Sequence, residues 1–158
     1  MELTDIEEVT SKILKIVPRY RLDYSLIQAI AKVESNFDRW AVRYEAGFSY
    51  LLTPEVFAKK NKITVSTETQ CQKMSWGLLQ IMGGTARDLG FTGPLTQLLE
   101  IENNLKWGCK YLVKLGEKHG MNSANQVAAW NAGSVRQTAD GDYVNQIYVD
   151  KVLEAWRL

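Results

Sequence analysis

Apolar side chains recur every three or four positions along most of this 158-residue chain. This spacing gathers apolar residues on one face of an α-helix, whereas a half-buried strand would require strict alternation. Capping residues, prolines and glycines lie between these apolar segments and mark where helices start and stop. No segment shows the strict alternation of a strand instead. We therefore predict an all-α fold, with helices after Asp23, Thr53 and Ser123, a longest helix at 101–115 and a last helix at 143–156.

Composition and charge exclude several classes of protein. The chain is long enough for one domain with a core of its own, which we expect to span residues 1–158. A formal net charge of +1 argues against nucleic-acid binding, and no apolar run approaches the ~20 residues that span a bilayer. Cys71, Cys109 and His119 lack the spacing of zinc ligands, so we expect no metal site and free thiols.

One of the expected helices carries a glutamate, Glu34, on the flank of its apolar face. That face comprises Leu26, Ile30, Val33 and Phe37. Burial beside apolar groups disfavours the charged carboxylate, so its pKa rises and the group can hold a proton near neutral pH. A general acid needs this property, as in glycosidases where a glutamate in an apolar pocket protonates the glycosidic oxygen. Pairing with a nearby Lys or Arg, or capping of the helix end, is the structural alternative, and position alone leaves both open.

Five short motifs follow one another in an order that is typical of one enzyme family. They are Glu34-Ser35, Gly77-Leu78-Leu79-Gln80-Ile81, the set Asn104, Gly108, Tyr111 and Leu112, then Ala129-Trp130-Asn131-Ala132-Gly133, and Tyr148-Val149. Together they resemble the soluble lytic transglycosylases, which are related to goose-type lysozyme, and they cover roughly residues 24–153. The resemblance implies a lysozyme-like SLT domain that carries an inserted segment.

The resemblance also implies a reaction, namely cleavage of the β-1,4 bond between N-acetylmuramic acid and N-acetylglucosamine in peptidoglycan. Glu34 would protonate the leaving oxygen and then take the proton of the muramic 6-hydroxyl as a 1,6-anhydro ring closes. The hydroxyl of Tyr148 would orient the Glu34 carboxyl, and no metal or cofactor is implied. Six further residues are assigned to substrate binding in the sugar cleft: Ser35, Ser75, Gln80, Ile81, Trp130 and Asn131.

Three of these assignments have structural alternatives that the residues themselves leave open. Gln80 could be a core amide bonded to backbone, and Asn131 could serve as a cap-like amide near a helix end. Trp130 could belong to the core instead of forming a sugar platform. Trp130 also stands where the family usually has tyrosine, and Gly83-Gly84 replaces a usual proline.

The segment 43–74 is longer than the family minimum between the glutamate and Gly77. Its aromatic residues are Tyr44, Phe48, Tyr50 and Phe57. Such a segment is too aromatic for a disordered linker. Because its two ends enter at elements of the cleft, we expect an ordered wall or lid on the cleft that is partly helical around 53–60. The insertion resembles those of phage-encoded members of the family.

Two other functions compete with lytic cleavage. Hydrolysis, as in a lysozyme, would need a second carboxylate to activate water. The nearest candidates are Asp38, which we interpret as a surface or capping carboxylate, and Glu45 and Glu68 of the insertion. A non-catalytic peptidoglycan-binding module of a virion would need only the fold. The presence of the full set of site residues argues against such a module: Glu34, Gln80, Asn131 and Tyr148.

The expected partner is the glycan strand of peptidoglycan, bound by a monomer that acts alone or within a virion or secretion assembly. The acidic, amphipathic start of the chain is unlike a signal peptide, so we expect neither a signal peptide nor a membrane span. Action in the bacterial cell wall or periplasm would then require delivery by a phage virion, a secretion machine, a holin or a fusion partner.

Overall fold

The protein consists mainly of helices, with one small antiparallel sheet. The computed structural model describes residues 3–157, with side chains from residue 5 onward. The helices are α1 (Leu3–Ile16), α2 (Tyr24–Ser35), α3 (Pro54–Asn61), α4 (Val65–Gln72), α5 (Gly83–Asp88), α6 (Ile101–His119), α7 (Ser123–Ala132) and α8 (Gln146–Arg157). The strands are β1 (Val42–Tyr44), β2 (Met74–Trp76) and β3 (Ile81–Met82), and 3₁₀ turns lie at Val17–Tyr20 and Leu95–Leu99. Because the strands are this short, the prediction of an all-α fold is confirmed.

The sheet joins the first residues of the insertion to the segment around Gly77. Strand β2 is central and pairs antiparallel with both β1 and β3. Val42 lies opposite Trp76, and Tyr44 lies opposite Met74. The sequence did not predict these strands, because two or three residues are too few to reveal an alternating pattern.

Helix α6 links the two hydrophobic clusters of the protein. The larger cluster joins α6 to α1, α2, α7 and α8, and the smaller one joins it to the sheet and α5. Tyr111 packs against both clusters. Each fully buried aliphatic side chain stabilises the fold by about 1.5–3 kcal/mol, so the two clusters fix where the helices lie. Gly108 on α6 lets the side chain of Leu79 approach closely, because a Cβ atom there would collide with it.

Helix α2 ends one residue after Glu34, which places this glutamate in the last turn. The first turn is capped as predicted, since Asp23 accepts a hydrogen bond from the backbone N–H of Ser25 at 2.8 Å. Asn36 and Phe37 have left-handed backbone, with φ of 53° and 65°, so Phe37 lies outside the helix instead of extending its apolar face. Carbonyls in a last helical turn have no intrahelical partner, so the Glu34 carbonyl can accept another donor.

The insertion at 43–74 is ordered and contains two helices. Helix α3 covers the region around 53–60 where a helix was predicted, whereas α4 was not expected. Helix α4 packs against both α3 and α5. The side chain of Gln72 forms two hydrogen bonds with the backbone of Leu52, at 2.8 and 3.0 Å, and so ties α4 to the chain before α3.

A buried ion pair fastens the insertion to the rest of the protein. Nε and Nη2 of Arg87 on α5 donate to the two carboxylate oxygens of Glu68 on α4, at 2.8 and 3.0 Å. Both side chains are fully buried. Gly84 allows the insertion to come this close, because a Cβ atom there would collide with the carbonyl of Tyr50. The glycine that departs from the family pattern therefore accommodates the insertion.

Cys71 and Cys109 are free thiols, as predicted. Burial raises the pKa of Cys109 to about 12, so this thiol stays protonated at neutral pH. None of the helices within residues 3–157 is long and apolar enough to cross a membrane.

Candidate active site

A cleft of about 480 Å³ lies where α2, the sheet, α6 and α7 meet. Its wall includes Glu34, Arg43, Glu45, Phe48, Ser75, Gln80, Ile81, Tyr111, Trp130 and Asn131. Glu34 and five of the six side chains predicted to bind sugar therefore line one cavity. Ser35 is the sixth, and it does not line the cleft. Tyr148 does not line the cleft, but its hydroxyl contacts the Glu34 carboxyl from α8.

Two hydrogen bonds hold the Glu34 carboxyl, and both end on the same oxygen. The hydroxyl of Tyr148 donates to Oε1 at 2.6 Å, and the indole Nε1 of Trp130 donates to Oε1 at 3.2 Å. No donor among residues 3–157 contacts Oε2. The arrangement fixes the carboxyl through one oxygen and leaves the other available to carry a proton.

Burial is the largest influence on the Glu34 carboxyl, and it raises the pKa above that of an exposed glutamate. The hydrogen bonds from Tyr148 and Trp130, and the positive charge of Arg43, lower the pKa without cancelling this rise. The negative charge of Glu45 raises it further. Glu34 therefore keeps its proton to a higher pH, as a general acid must. Burial and the Glu34 carboxylate also raise the pKa of Tyr148, so its hydroxyl remains a donor.

Trp130 contacts the carboxyl instead of merely filling space beside it. Its side chain is only 8% exposed, and its ring packs against that of Tyr111 with centroids 5.3 Å apart. The ring also lies beside Gly108 on α6, where an added Cβ atom would be 3.5 Å from Cη2 of Trp130. The sequence showed the loss of a tyrosine hydroxyl at this position, and the structure shows that the indole N–H supplies a donor to Glu34.

The side chain of Gln80 is bonded to backbone, as in the structural alternative that the sequence left open. Its Nε2 donates to the carbonyls of Ala41 and Gly77 at 3.0 and 2.8 Å, and its Oε1 accepts from the hydroxyl of Ser75 at 2.8 Å. Both side chains line the cleft, and their contact with sugar stays a prediction. They shape the turn after β2, where Gly77 and Gln80 both have positive φ.

Ser35 also has a structural contact. Its hydroxyl donates to the carbonyl of Leu78 at 2.7 Å, which ties the end of α2 to the turn after β2. Ser35 does not line the cleft, and its direct contact with substrate stays a prediction. Ile81 is 2% exposed and presents only an apolar edge.

Asn131 is exposed at the end of α7 and lines the cleft. Its Oδ1 accepts a hydrogen bond from Nδ2 of Asn145 at 3.0 Å. Within residues 3–157, the Nδ2 of Asn131 has no acceptor, so this amide keeps a donor for a ligand. Of the predicted polar contacts to sugar, Asn131 is the one with a donor still available.

Residues 11–147 match the family model of the transglycosylase SLT domain. This chain belongs to the SLT domain family. No solved structure matches the chain. Membership confirms the resemblance seen in the five motifs and the lysozyme-like all-α fold. An SLT domain implies degradation of cell-wall peptidoglycan of the lytic transglycosylase type.

This SLT domain has cleft residues that the family motifs did not reveal. Arg43 and Glu45 come from the start of the insertion, and Phe48 follows them. Nη2 of Arg43 donates to the backbone carbonyl of Glu34, the carbonyl left open by the end of α2. The expectation that the insertion forms a wall of the cleft was the signal for Arg43 and Phe48, and Glu45 was also named as a candidate second carboxylate. Tyr111 belongs to the third of the five motifs, but nothing in the sequence indicated that it faces the cleft.

The SLT domain offers no evident metal centre in the part of the chain that the structure describes. No group of three or more His, Cys, Asp or Glu side chains there is arranged to hold a metal ion.

Proposed function

We propose that this SLT domain is a lytic transglycosylase that cleaves the β-1,4 bond between N-acetylmuramic acid and N-acetylglucosamine. Its product would end in 1,6-anhydro-N-acetylmuramic acid. The observation that carries the proposal is the Glu34 carboxyl, which is held through Oε1 by Tyr148 and Trp130 and whose pKa is raised by burial. A single carboxyl of this kind can serve as acid and then as base.

The proposed reaction has two proton transfers, both through Glu34. First, the protonated carboxyl gives its proton to the glycosidic oxygen, and the bond between that oxygen and C1 of the muramic unit breaks. The 6-hydroxyl oxygen of the same unit then bonds to C1, and the Glu34 carboxylate takes the hydroxyl proton. Glu34 ends protonated, as it began, and no water is consumed. Tyr148 and Trp130 hold the carboxyl throughout and stabilise its charged form.

The scarcity of other carboxylates supports a lytic reaction over hydrolysis. Asp38 is exposed, and its Oδ1 accepts from the backbone N–H of Trp40 at 2.8 Å, which is a local capping contact. Glu68 is fully buried in its ion pair with Arg87. Neither lines the cleft, so neither supports activation of water.

Product analysis in H₂¹⁸O tests the proposal. Purified peptidoglycan strands are digested, and the muropeptides are analysed by mass spectrometry. We expect anhydro products, each lighter by one water than the hydrolysis product and free of ¹⁸O at C1. Products with a reducing muramic acid that carries ¹⁸O would overturn the lytic assignment. No loss of turbidity from a cell-wall suspension would instead favour a non-catalytic binding module.

Hydrolysis through Glu45 is the second candidate, and one observation favours it. Glu45 lines the same cleft as Glu34, and its charge raises the Glu34 pKa, so a second carboxylate is near the acid. In a hydrolase, Glu45 would activate water or attack C1. Under this alternative, Glu45→Gln would abolish activity. Under the lytic proposal, that variant keeps its anhydro products.

We propose further that residues 1–158 act as one catalytic unit, as a monomer on glycan strands. The packing of Tyr111 against both hydrophobic clusters supports a single unit. The ion pair between Glu68 and Arg87 supports including the insertion in it. Sedimentation of the active enzyme at assay concentration tests the monomer.

A further inference from the structure

A second cavity, of about 420 Å³, adjoins the cleft and extends along α8. The residues it shares with the cleft are Glu34, Arg43 and Asn131, and its other walls include Asn145, Tyr148 and Lys151. The Glu34 side chain, which performs the proposed chemistry, therefore borders both spaces, and Tyr148 borders the second one. A substrate bound across Glu34 has room for a branch in this second cavity.

Two cations line the second cavity, and neither forms a salt bridge in the part of the chain that the structure describes. Among residues 3–157, neither Arg43 nor Lys151 has a carboxylate oxygen within 4.0 Å. Glu34 is the one carboxyl in the lining of this cavity, and Tyr148 and Trp130 already hold it.

Neutral donors add to this positive charge. The Nδ2 of Asn131 has no acceptor within the described part of the chain. The first turn of α8 also borders the cavity, and the N-terminal end of a helix carries a partial positive charge. The cavity thus combines two cations, an amide donor and a helix N-terminus, which together suit an anion.

We propose that this cavity binds a carboxylate on the 3-O side arm of the muramic acid unit. The inference rests on the proposed function, because the muramic unit that is cleaved must lie beside Glu34. Muramic acid differs from glucosamine by a lactyl group on O3, which ends in a carboxylate or continues into a stem peptide with carboxylates of its own. The guanidinium of Arg43 suits the planar geometry of a carboxylate, and the Lys151 ammonium adds a flexible point charge.

Neither cation is part of the five family motifs. Arg43 begins the insertion at 43–74, and Lys151 lies beyond the matched residues 11–147. The cavity would give this SLT domain a preference among glycan strands. It would favour strands with an acidic side arm over neutral strands of the same backbone.

Binding of three sugars to a Glu34→Gln background tests the inference without turnover. The ligands are a neutral N-acetylglucosamine oligomer, a peptide-free muramic strand with free lactyl carboxylates, and a muramic strand with stem peptides. Lys151→Gln removes one cation, and Lys118→Gln is the matched control, because Lys118 is exposed on α6 and lines neither cavity. Dissociation constants are measured by calorimetry at low and at high salt.

We expect Lys151→Gln to weaken binding of an acidic strand about three- to tenfold, with no change for the neutral oligomer. High salt should reduce this difference, and Lys118→Gln should change none of the three constants. If Lys151→Gln weakens binding of the peptide-free muramic strand, the bound group is the lactyl carboxylate. If it weakens binding of only the muramic strand with stem peptides, the bound group is a carboxylate of the stem peptide. Equal effects on neutral and acidic sugars, or no effect on any, would overturn the inference.

Failure of this inference and failure of the proposed function are separate outcomes. Binding in the Glu34→Gln background does not depend on cleavage. If Lys151→Gln has no effect while the wild type yields anhydro products, the cavity assignment alone is wrong. If the selective weakening is found while the wild type cleaves no glycan, the lytic reaction is wrong and the cavity assignment stands.

Discussion

The hydroxyl of Tyr148 lies 2.6 Å from Oε1 of Glu34, although the two residues are 114 positions apart in the chain. Helices α2 and α8 pack directly against each other and bring the two side chains together. Val149 and Val152 on α8 are fully buried in the larger hydrophobic cluster, so the packing of α8 fixes where the phenol lies. The position of the proposed acid thus depends on the core.

Glu34→Gln should fold normally and lose at least ~10²-fold in activity, because it removes the only group assigned to both proton transfers. The amide oxygen can still accept from Tyr148 and Trp130, so the local structure should persist. Initial rates on a cell-wall suspension, together with thermal unfolding, measure the two effects. Glu117→Gln is the control, since Glu117 is exposed on α6 and lies outside the cleft. Near-normal lysis by folded Glu34→Gln would exclude Glu34 as the acid.

Tyr148→Phe should keep the ring packing and lower turnover about tenfold. The hydrogen bond from Tyr148 lowers the Glu34 pKa, so its loss should raise that pKa further. The alkaline limb of the pH profile of kcat/KM should therefore move to higher pH. A variant with lower turnover but an unmoved profile would contradict a direct contact with the acid.

Stability should depend on pH through Glu34. Its pKa in the folded protein is raised above the usual 4.5, so ionisation disfavours the folded state. The wild type should have its full stability relative to Glu34→Gln below pH 4.5 and lose it as pH rises through the folded pKa. Chemical denaturation of both proteins across this range gives the difference in free energy of unfolding. A difference that is constant with pH would mean that the Glu34 pKa is not raised.

The helices and the position of Glu34 were predictable because they depend on local pattern. Apolar stripes and the Asp23 cap are encoded within a few turns of chain, and both agree with the structure. The predicted start of a helix was wrong where another local contact competed with the helix. Helix α8 begins at Gln146, not at 143, because Tyr143 pairs with Gln137 in an isolated bridge. Likewise, Asn122 caps α7 in place of the predicted Ser123.

Gln80 shows why the contacts of a site side chain are harder to predict than its presence there. The same amide could bond to sugar or to backbone, and one of its actual acceptors is the carbonyl of Ala41, 39 positions away. Arg43 was missed for a related reason. Its partner is a carbonyl exposed by the left-handed turn that ends α2, and that turn was not predicted. Both contacts follow from three-dimensional packing and leave no mark on residue spacing.

The insertion at 43–74 should behave as a stable wall of the cleft because the Glu68–Arg87 pair fastens it. Glu68→Gln leaves the fully buried Arg87 without its countercharge and should cost about 3–5 kcal/mol in the free energy of unfolding. Limited proteolysis should then cut within 43–74 much faster than in the wild type, with loss of activity. Glu55→Gln is the matched control, since Glu55 is exposed in the same segment. Rapid cutting of the wild-type insertion with activity intact would instead identify it as a dispensable loop.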